Sequence, residues 1–299
     1  MFSDAYEIAS CYTRPLFTFA RVTDDPFSGD FEIVSSVGAM VIINEDGCFV
    51  TASHIMQQAE QLRQQHEAWV ALQKKIQELE QDSISRSGKK KKLKREAQSK
   101  PHSWVSNLVL GFGFQEAEVS EVRVFPYSDL AIGRIENFNQ FSVDNYPRIK
   151  EPSNNFDIGS SLCRLGYPFA NLDVEFNEQQ DQFFLNGLPP LFPIESIYTR
   201  NIIPEVPNDD TAPSFDVKFI ETSRPGLNGQ SGGPIFDTDG NVWGIQSQTR
   251  HYPLGFDQEI QHGGKTRSTE NSFLHVGVGT HAETLIGALD ETGVDYSLA

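Results

Sequence analysis

Cysteine, basic charge and long apolar runs are all scarce in this chain, and each scarcity excludes a class of protein. The three cysteines, Cys11, Cys48 and Cys163, are odd in number and lack metal-ligand spacing, so the sequence predicts neither a disulfide framework nor a metal site. No stretch approaches the roughly 18 consecutive apolar residues of a membrane span. Residues 1–20 lack the basic start and apolar centre of a secretion signal, which together with the few cysteines predicts a cytoplasmic location.

The deficit of positive charge is large and unevenly distributed. The 299 residues include 24 lysines and arginines against 41 aspartates and glutamates, a net charge of −17. A surface this acidic repels nucleic acid and anionic lipid, so we expect neither as a partner. Residues 57–100 reverse the balance, because they hold 11 basic and 6 acidic side chains. This reversal marks the segment as a separate structural unit.

A helical segment interrupts a chain that otherwise has the pattern of a β protein. Residues 57–82 contain no glycine or proline, and their apolar residues recur near the 3.6-residue helical period. A break at 83–88 and a basic run at 89–95 follow, which predicts a helical hairpin inserted over 57–103. The apolar stripe of its first arm consists of Leu62, Trp69, Leu72, Ile76 and Leu79.

The second arm of this hairpin is mostly lysine and arginine, with Leu93 as its apolar residue between 89 and 95. It offers little to cover the stripe, which makes the insertion a candidate site for self-association or for a protein partner. The plainer interpretation, that the stripe packs within its own hairpin, stays open.

Short apolar runs between turn residues occupy most of the remaining sequence, and they predict an all-β fold. The runs 34–43 and 48–52 flank an Asn-Glu-Asp-Gly turn and predict a hairpin. Further strands are expected at 8–22, 108–114, 117–125, 130–135, 156–166, 215–221, 233–236, 242–247 and 273–279. Residues 168–213 are rich in turn formers and predict long loops around one strand at 194–202, and 281–289 predicts a closing helix.

Three local motifs carry residues suited to acyl transfer, although none is specific alone. Gly229-Gln230-Ser231-Gly232 predicts a tight turn that projects a serine hydroxyl, with the N–H groups of Gly229 and Ser231 as an oxyanion hole. His54 ends one apolar strand and Asp129 precedes another, positions that are more often structural. The order His, Asp, Ser, each at a strand edge, supplies a base, an orienting acid and a nucleophile.

Together these motifs resemble the trypsin-like, chymotrypsin-fold serine peptidases, closest to the bacterial disulfide-free HtrA/Deg branch. The similar segments are GAMVIINEDGCFVTASHI at 38–55, SDLAIGRI at 128–135, LGYPF at 165–169, GQSGGPIFDTDGNVWGI at 229–245 and HVGVGTHAETL at 275–285. The resemblance covers about 35–289. The chain departs from the branch in three ways. It carries the insertion, its segment 168–213 is longer, and we expect no PDZ domain after the protease domain.

The resemblance implies a fold of two β-barrels. An N-terminal extension with the first strands is expected at 1–34 and the protease domain at 35–299. Barrel 1 would occupy about 15–150 and barrel 2 about 155–285, with the helical insertion 57–103 between the base and the orienting acid.

The activity that the resemblance implies is a serine endopeptidase acting on polypeptides through an acyl-enzyme, with no cofactor and no metal. In it Asp129 orients His54, and His54 takes the proton from Ser231. One alternative is a catalytically silent binding module, a pseudo-protease that acts through its helical insertion. The other is an esterase that uses the same chemistry.

A substrate pocket is expected from Arg224, Pro225, Ser247, Gln248 and Thr249. Pro225 stands where trypsin-type enzymes carry the aspartate that pairs with a basic side chain, so cleavage after Lys or Arg is not expected. Small or apolar residues before the scissile bond are favoured, with an acidic one possible if Arg224 points inward.

Overall fold

The computed structural model describes residues 2–81, 103–113, 117–141, 143–169, 172–206, 212–262 and 265–299, and a few positions between 88 and 97. Side chains at 80–81, 140 and 256–271 lie outside the description. The helices are α1 (Phe2–Tyr12), α2 (Ser53–Gln81) and α3 (Ala282–Thr292), and short 3-10 turns occupy Pro126–Ser128 and Phe138–Gln140. Most of the remaining regular structure is β-strand.

One sheet collects the strands of the first half of the chain. They are β1 (Thr13–Thr23), β2 (Glu32–Ile42), β3 (Cys48–Ala52), β4 (Trp104–Gly111), β5 (Val119–Phe125) and β6 (Leu130–Ile135). Their spatial order is β4-β1-β2-β3-β6-β5, with every pair antiparallel. The β2–β3 ladder confirms the hairpin predicted around the Asn-Glu-Asp-Gly turn.

The second sheet collects the later strands and closes on itself. Its strands are β7 (Arg148–Ile149), β8 (Ser161–Arg164), β11 (Ile194–Ile202), β12 (Phe219–Thr222), β13 (Pro234–Phe236), β14 (Val242–His262), β15 (Lys265–His281) and β16 (Ser297–Leu298). The order β13-β8-β11-β12-β15-β14 returns to β13 through an added β13–β14 pairing. Two barrel-like sheets are therefore present, as the predicted two-barrel fold requires.

The apolar core cluster that contains Met40 and Phe236 joins the two sheets to the terminal helices. Met40 and Phe49 from the first sheet share it with Phe236 from the second. Leu285 and Leu289 of α3 enter the same core, which confirms the predicted closing helix and shows why it is amphipathic. The core fixes both sheets on either side of the cleft described below.

The N-terminus corrects one prediction, because residues 8–12 belong to a helix and not to a strand. The buried residues of α1 are Ala5, Ala9 and Tyr12, which recur at helical spacing. The Tyr12 hydroxyl donates to the carbonyl of Gly240 at 3.4 Å. Loose alternation in a short amphipathic segment does not distinguish the helical period from the strand period.

Two further corrections concern strand length. Residues 168–213 contain not one strand but three, because β9 (Val174–Asn177) and β10 (Gln182–Leu185) form a hairpin before β11. The strands predicted at 242–247 and 273–279 extend into the long β14–β15 ribbon, where Arg250 pairs with Val276. A two-stranded ribbon is held by backbone hydrogen bonds, so its polar sequence carries no apolar alternation to reveal it.

The predicted insertion begins four residues earlier than expected, at Ser53, so that His54 lies inside α2. The helix lies along β4, where Leu72 packs on Trp104 and His66 Nδ1 lies 3.0 Å from the Val105 carbonyl. Leu93 and Ala97 join the same cluster. The middle of the apolar stripe is thus covered by barrel 1 and by described residues of the second arm together. No helix among the described residues is long and apolar enough to cross a membrane.

Candidate active site

His54 and Asp129 come into direct contact although 75 residues separate them in sequence. The β3–β6 ladder aligns Ala52 with Leu130, which brings the residues just beyond these two positions together. His54 Nδ1 lies 2.9 Å from Asp129 Oδ2 and 3.1 Å from Oδ1. The backbone N–H of His54 also donates to Asp129 Oδ1 at 3.0 Å. The carboxylate therefore fixes both the ring and the main chain of the histidine.

Asp129 is held in turn by two serine hydroxyls. Ser53 Oγ donates to Oδ1 at 2.9 Å, and Ser247 Oγ donates to Oδ2 at 2.6 Å. The backbone of Asp129 is left-handed, with φ 50°, directly after the Pro126–Ser128 turn. Its carboxylate thus accepts bonds from α2 and from β14, which belong to different barrels. Ser53 is a residue that the sequence reasoning missed, although its place beside His54 was a signal.

The contact shifts the pKa values of both partners toward an ion pair. Hydrogen bonding to Asp129 raises the pKa of His54 above its ordinary value of 6.5, against an opposing effect of partial burial. Burial acts to raise the pKa of Asp129, but hydrogen bonds from His54 and Ser247, with the charge of His54, outweigh it and lower that pKa. The distances assign Nδ1 of His54 to the carboxylate, which leaves Nε2 as the ring nitrogen without that contact.

Ser231 sits on a glycine turn that tolerates no side chain at its flanks. Gly229 has φ +91°, and a Cβ there would lie 2.2 Å from the Tyr167 carbonyl oxygen. Gly232 has φ +83°, and its Cβ would lie 2.1 Å from the Ala39 carbonyl oxygen. The turn is pinned to barrel 1 because the N–H of Ala39 donates to the Ser231 carbonyl at 2.8 Å. Glycine is required at both positions by conformation and by space.

The two N–H groups predicted to form an oxyanion hole are open. Neither the N–H of Gly229 nor that of Ser231 has a hydrogen-bond acceptor within the described parts of the chain. The neighbouring N–H groups of Gln230, Gly232 and Gly233 are bonded to backbone carbonyls. Two unpaired donors beside a serine are suited to binding a developing oxyanion.

The Ser231 hydroxyl itself donates to the Ser247 carbonyl at 3.3 Å, not to His54. Ser231 and His54 nevertheless line the same cleft. Rotation about one bond, χ1, sets the position of a serine hydroxyl. The hydrogen bond between a catalytic serine and its histidine often forms only when substrate is present. The structure thus brings His54 and Asp129 into contact and places Ser231 across the cleft from them.

On one side of Ser231 the cleft widens into a hollow of about 710 Å³, here called the acyl-side hollow. Three of the five predicted pocket residues line it: Ser247, Gln248 and Thr249. Arg224 and Pro225 are not among its lining residues, and the side chain of Arg224 is exposed. The sequence reasoning missed a further set of lining residues, which are Gly226, Leu227, Asn228, Gln246 and Arg250.

Side chains bridge the walls of the acyl-side hollow. Thr249 Oγ1 donates to the Gly226 carbonyl at 2.7 Å, which links the two segments that flank Ser231. The Gln246 amide fills the space next to Gly226, where a Cβ would lie 2.2 Å from Gln246 Nε2. Both contacts narrow the gap between the segment at Gly226 and the strand that carries Gln246 and Thr249.

A buried guanidinium fixes the segment that precedes Gly226. Arg164 is fully buried, and its Nη2 donates to Thr222 Oγ1 and, at 3.0 Å, to the Arg224 carbonyl. Burial lowers the pKa of Arg164 to about 10, so that it remains a cation near neutral pH. Within the described residues no group of three or more His, Cys, Asp or Glu side chains is arranged to hold a metal ion.

Comparison with known proteins gives one family and a set of similar shapes. Residues 38–245 match the family model of the trypsin-like peptidase domain. The HtrA-type protease AlgW, in a serine-to-alanine form with a decapeptide, is 12% identical with TM-score 0.49, covering 98% of this chain and 68% of that chain. The active form of the Rv3671c protease from M. tuberculosis is 15% identical with TM-score 0.46, covering 99% and 88%. No curated protein matches the chain.

Proposed function

Because the chain belongs to the trypsin-like peptidase family, we propose that it is a serine endopeptidase that uses Ser231, His54 and Asp129. The observation that carries the proposal is the Asp129 network. One carboxylate holds the ring and the main chain of His54 while it accepts a hydroxyl from Ser247, next to the cleft that Ser231 lines. An isolated surface ion pair between His54 and Asp129 would not require a hydrogen bond from Ser247, which belongs to the other barrel.

The proposed reaction proceeds in two halves. His54 Nε2 accepts the proton of Ser231 as Oγ attacks the peptide carbonyl, and the N–H groups of Gly229 and Ser231 stabilise the resulting oxyanion. The protonated His54 gives its proton to the leaving amine, which departs and leaves an acyl-enzyme on Ser231. Water, deprotonated by His54, then hydrolyses the ester and restores the hydroxyl. Each open oxyanion donor is worth about 3 kcal/mol in such sites.

Burst kinetics test this two-step scheme directly. With an activated ester substrate, the first turnover should release one equivalent of product rapidly, followed by slower steady release limited by deacylation. A linear time course with no burst, in a preparation that cleaves peptides, would speak against an acyl-enzyme. The silent binding-module alternative predicts no release above the uncatalysed rate.

The pH dependence follows from the raised pKa of His54. A protonated His54 cannot accept the Ser231 proton, and pairing with Asp129 keeps it protonated to higher pH. We therefore expect kcat/KM to rise with pH and to reach half its plateau above pH 6.5, the ordinary histidine value. His251→Gln, at an exposed histidine on β14, should leave the midpoint unchanged. A midpoint at or below the ordinary value would contradict the pairing.

Specificity for the residue before the scissile bond follows from the bridged walls of the acyl-side hollow. We expect small residues such as Ala or Val there to be preferred about tenfold over Phe, and Lys or Arg to be poor. Thr249→Gly removes the bond to Gly226 and should raise cleavage after Phe, whereas Thr249→Ser keeps a hydroxyl and should not. A peptide library profiled with all three proteins measures this; preferential cleavage after Lys or Arg would refute it.

We also propose that the insertion 57–103 docks a second copy of the chain or a protein partner. Two features support this: Val70 on α2 is 53% exposed, and α2 is continuous from Ser53, beside His54, over 29 residues, about 43 Å at 1.5 Å per residue. A partner that binds α2 and shifts it would therefore also shift His54, the proposed base, at the start of the same helix.

Replacing 67–100 with a Gly/Ser linker keeps α2 as far as His66 and removes the outer insertion, Val70 included. We expect this variant to differ from the intact chain either in mass by light scattering or in peptide hydrolysis, because it lacks the proposed docking surface. Leu72→Ala serves as the comparison that weakens packing without removing this surface. If mass, hydrolysis and captured partners all match the intact protein, the docking proposal is wrong.

A further inference from the structure

The cleft continues past Ser231 into a second hollow of about 720 Å³, here called the far hollow. It shares four lining residues with the acyl-side hollow: His54, Leu227, Asn228 and Ser231. Beyond them the two sets of lining residues diverge. The far hollow has an apolar set, which comprises Val37, Ile55, Tyr167, Pro168, Phe169 and Leu172.

The direction of a bound peptide follows from the positions of the two hollows around Ser231. Thr249 and Gly226 line only the acyl-side hollow, and the residue before the scissile bond is expected there. The far hollow lies on the other side of the Ser231–His54 pair, so it faces the residues that leave with the amine. A peptide that extends through the cleft must cover it.

The part of β2 that lies beyond its ladder with β3 offers backbone groups to which this part of the peptide can hydrogen-bond. The ladder with β3 covers only Met40–Ile42, and Ala39 turns its N–H outward to the Ser231 carbonyl. Backbone groups of a strand point the same way at every second residue, so Val37 and Ser35 also direct theirs away from β1. Both residues line the far hollow.

Phe169 stands out among the residues of the far hollow. It is 76% exposed, and its backbone is left-handed with φ 57°, a conformation that is unusual for a bulky residue. Its ring meets Phe192 edge-on, with centroids 5.6 Å apart. The backbone of Phe192 is bonded to Gly166 at 2.9 Å, and its carbonyl accepts from Gln230 Nε2 at 3.4 Å. The exposed ring is thus supported from the turn that carries Ser231.

Ile55 forms the opposite wall, one residue after His54 on α2. A Cβ at Gly38 would lie 2.4 Å from Ile55 Cδ1, so the glycine makes room for this side chain between β2 and the cleft. Of the described side chains that line the far hollow, His54 alone can carry charge near neutral pH. A charged substrate side chain would lose water there and gain no partner, whereas an apolar one would bury surface against Ile55 and Phe169.

We propose that the far hollow is a specificity subsite that selects a bulky apolar side chain within the first two residues after the scissile bond. The inference rests on the proposed endopeptidase function and adds a determinant on the leaving-group side of the substrate. Phe169 is its exposed anchor, and Ile55 is its wall beside the histidine.

Internally quenched peptides with Ala before the scissile bond test the subsite. The first and the second residue after that bond are varied in turn among Phe, Leu, Gly and Asp, and the position with the larger effect is used below. We expect kcat/KM with Phe or Leu to exceed that with Gly or Asp by about tenfold in the parent protein. Phe169→Ser should reduce this ratio to about twofold. Phe184→Ser, which removes another exposed aromatic ring outside the hollow, should keep it.

A peptidyl anilide carries no residue after the scissile bond, so its hydrolysis reports on the acyl side alone. Each peptide rate is therefore divided by the anilide rate of the same variant. Failure to hydrolyse any substrate, the anilide included, overturns the endopeptidase proposal. Hydrolysis of the anilide with equal peptide ratios, or a ratio that Phe169→Ser leaves unchanged, overturns the subsite and leaves the endopeptidase proposal standing.

Discussion

Ser231→Ala should lower kcat for peptide hydrolysis about 10⁶-fold, because no other hydroxyl in the cleft occupies the glycine turn. Rates about 10³- to 10⁴-fold above the uncatalysed reaction should survive, since the N–H groups of Gly229 and of residue 231 still stabilise an oxyanion on a substrate attacked by water. The hydroxyl contributes one bond, at 3.3 Å to the Ser247 carbonyl, so the free energy of unfolding should change by about 1 kcal/mol or less. Steady-state kinetics and thermal unfolding measure the two effects separately.

Ser3→Ala is a matched control for this substitution. Ser3 is exposed on α1, and its hydroxyl donates to Asp4, so the substitution should leave both kcat and stability unchanged. Parental kcat in Ser231→Ala would remove the serine from the mechanism. A large loss of stability in the same variant would instead mean that the kinetic loss reflects unfolding.

Asp129→Asn should lower kcat about 10⁴-fold near neutral pH. The amide oxygen would stay at the Oδ1 position, where it accepts from the His54 backbone N–H and the Ser53 hydroxyl, so the amide N–H would face His54 Nδ1. This arrangement favours the tautomer whose Nε2 carries the proton, and that ring cannot accept one from Ser231. The shape of the side chain is preserved, so the loss reports on proton position and not on packing.

Asp46→Asn is the control for the removal of one negative charge from barrel 1. Asp46 is exposed in the turn between β2 and β3, and its substitution should change kcat less than twofold. The measurement is kcat at saturating substrate for both variants. Comparable losses in both would assign the effect to net charge, and a loss of less than about tenfold in Asp129→Asn would exclude it as the orienting acid.

Much of the proposed site is legible from local sequence. The family match over residues 38–245 confirms the trypsin-like resemblance that the His, Asp and Ser motifs carried. Strict local rules explain this success. A turn with φ +91° at Gly229 demands glycine, and a histidine and an aspartate at the ends of β3 and β6 are adjacent once those strands pair. Such constraints act over a few residues and leave a trace in the sequence.

Features that depend on contacts across the chain were not legible. Ser53 and Thr249 are ordinary polar residues until the fold brings them to Asp129 and to the Gly226 carbonyl. In sequence, Ser53 and His54 read as the end of the apolar strand β3. In the fold they are the first residues of α2, which packs on β4 through Leu72 and Trp104. The far hollow is assembled from β2, α2 and the segment near Phe169, so no window of sequence contains it.

Labelling with a fluorophosphonate probe tests the central claim most directly, because the probe bonds only to a serine activated by a neighbouring base. Intact-mass and peptide mass spectrometry on the parent protein should show one adduct, located on Ser231. Ser231→Ala should show none, and His54→Ala should label at a rate lower by several orders of magnitude. An unlabelled parent protein, or an adduct at another serine that persists in Ser231→Ala, would contradict the account.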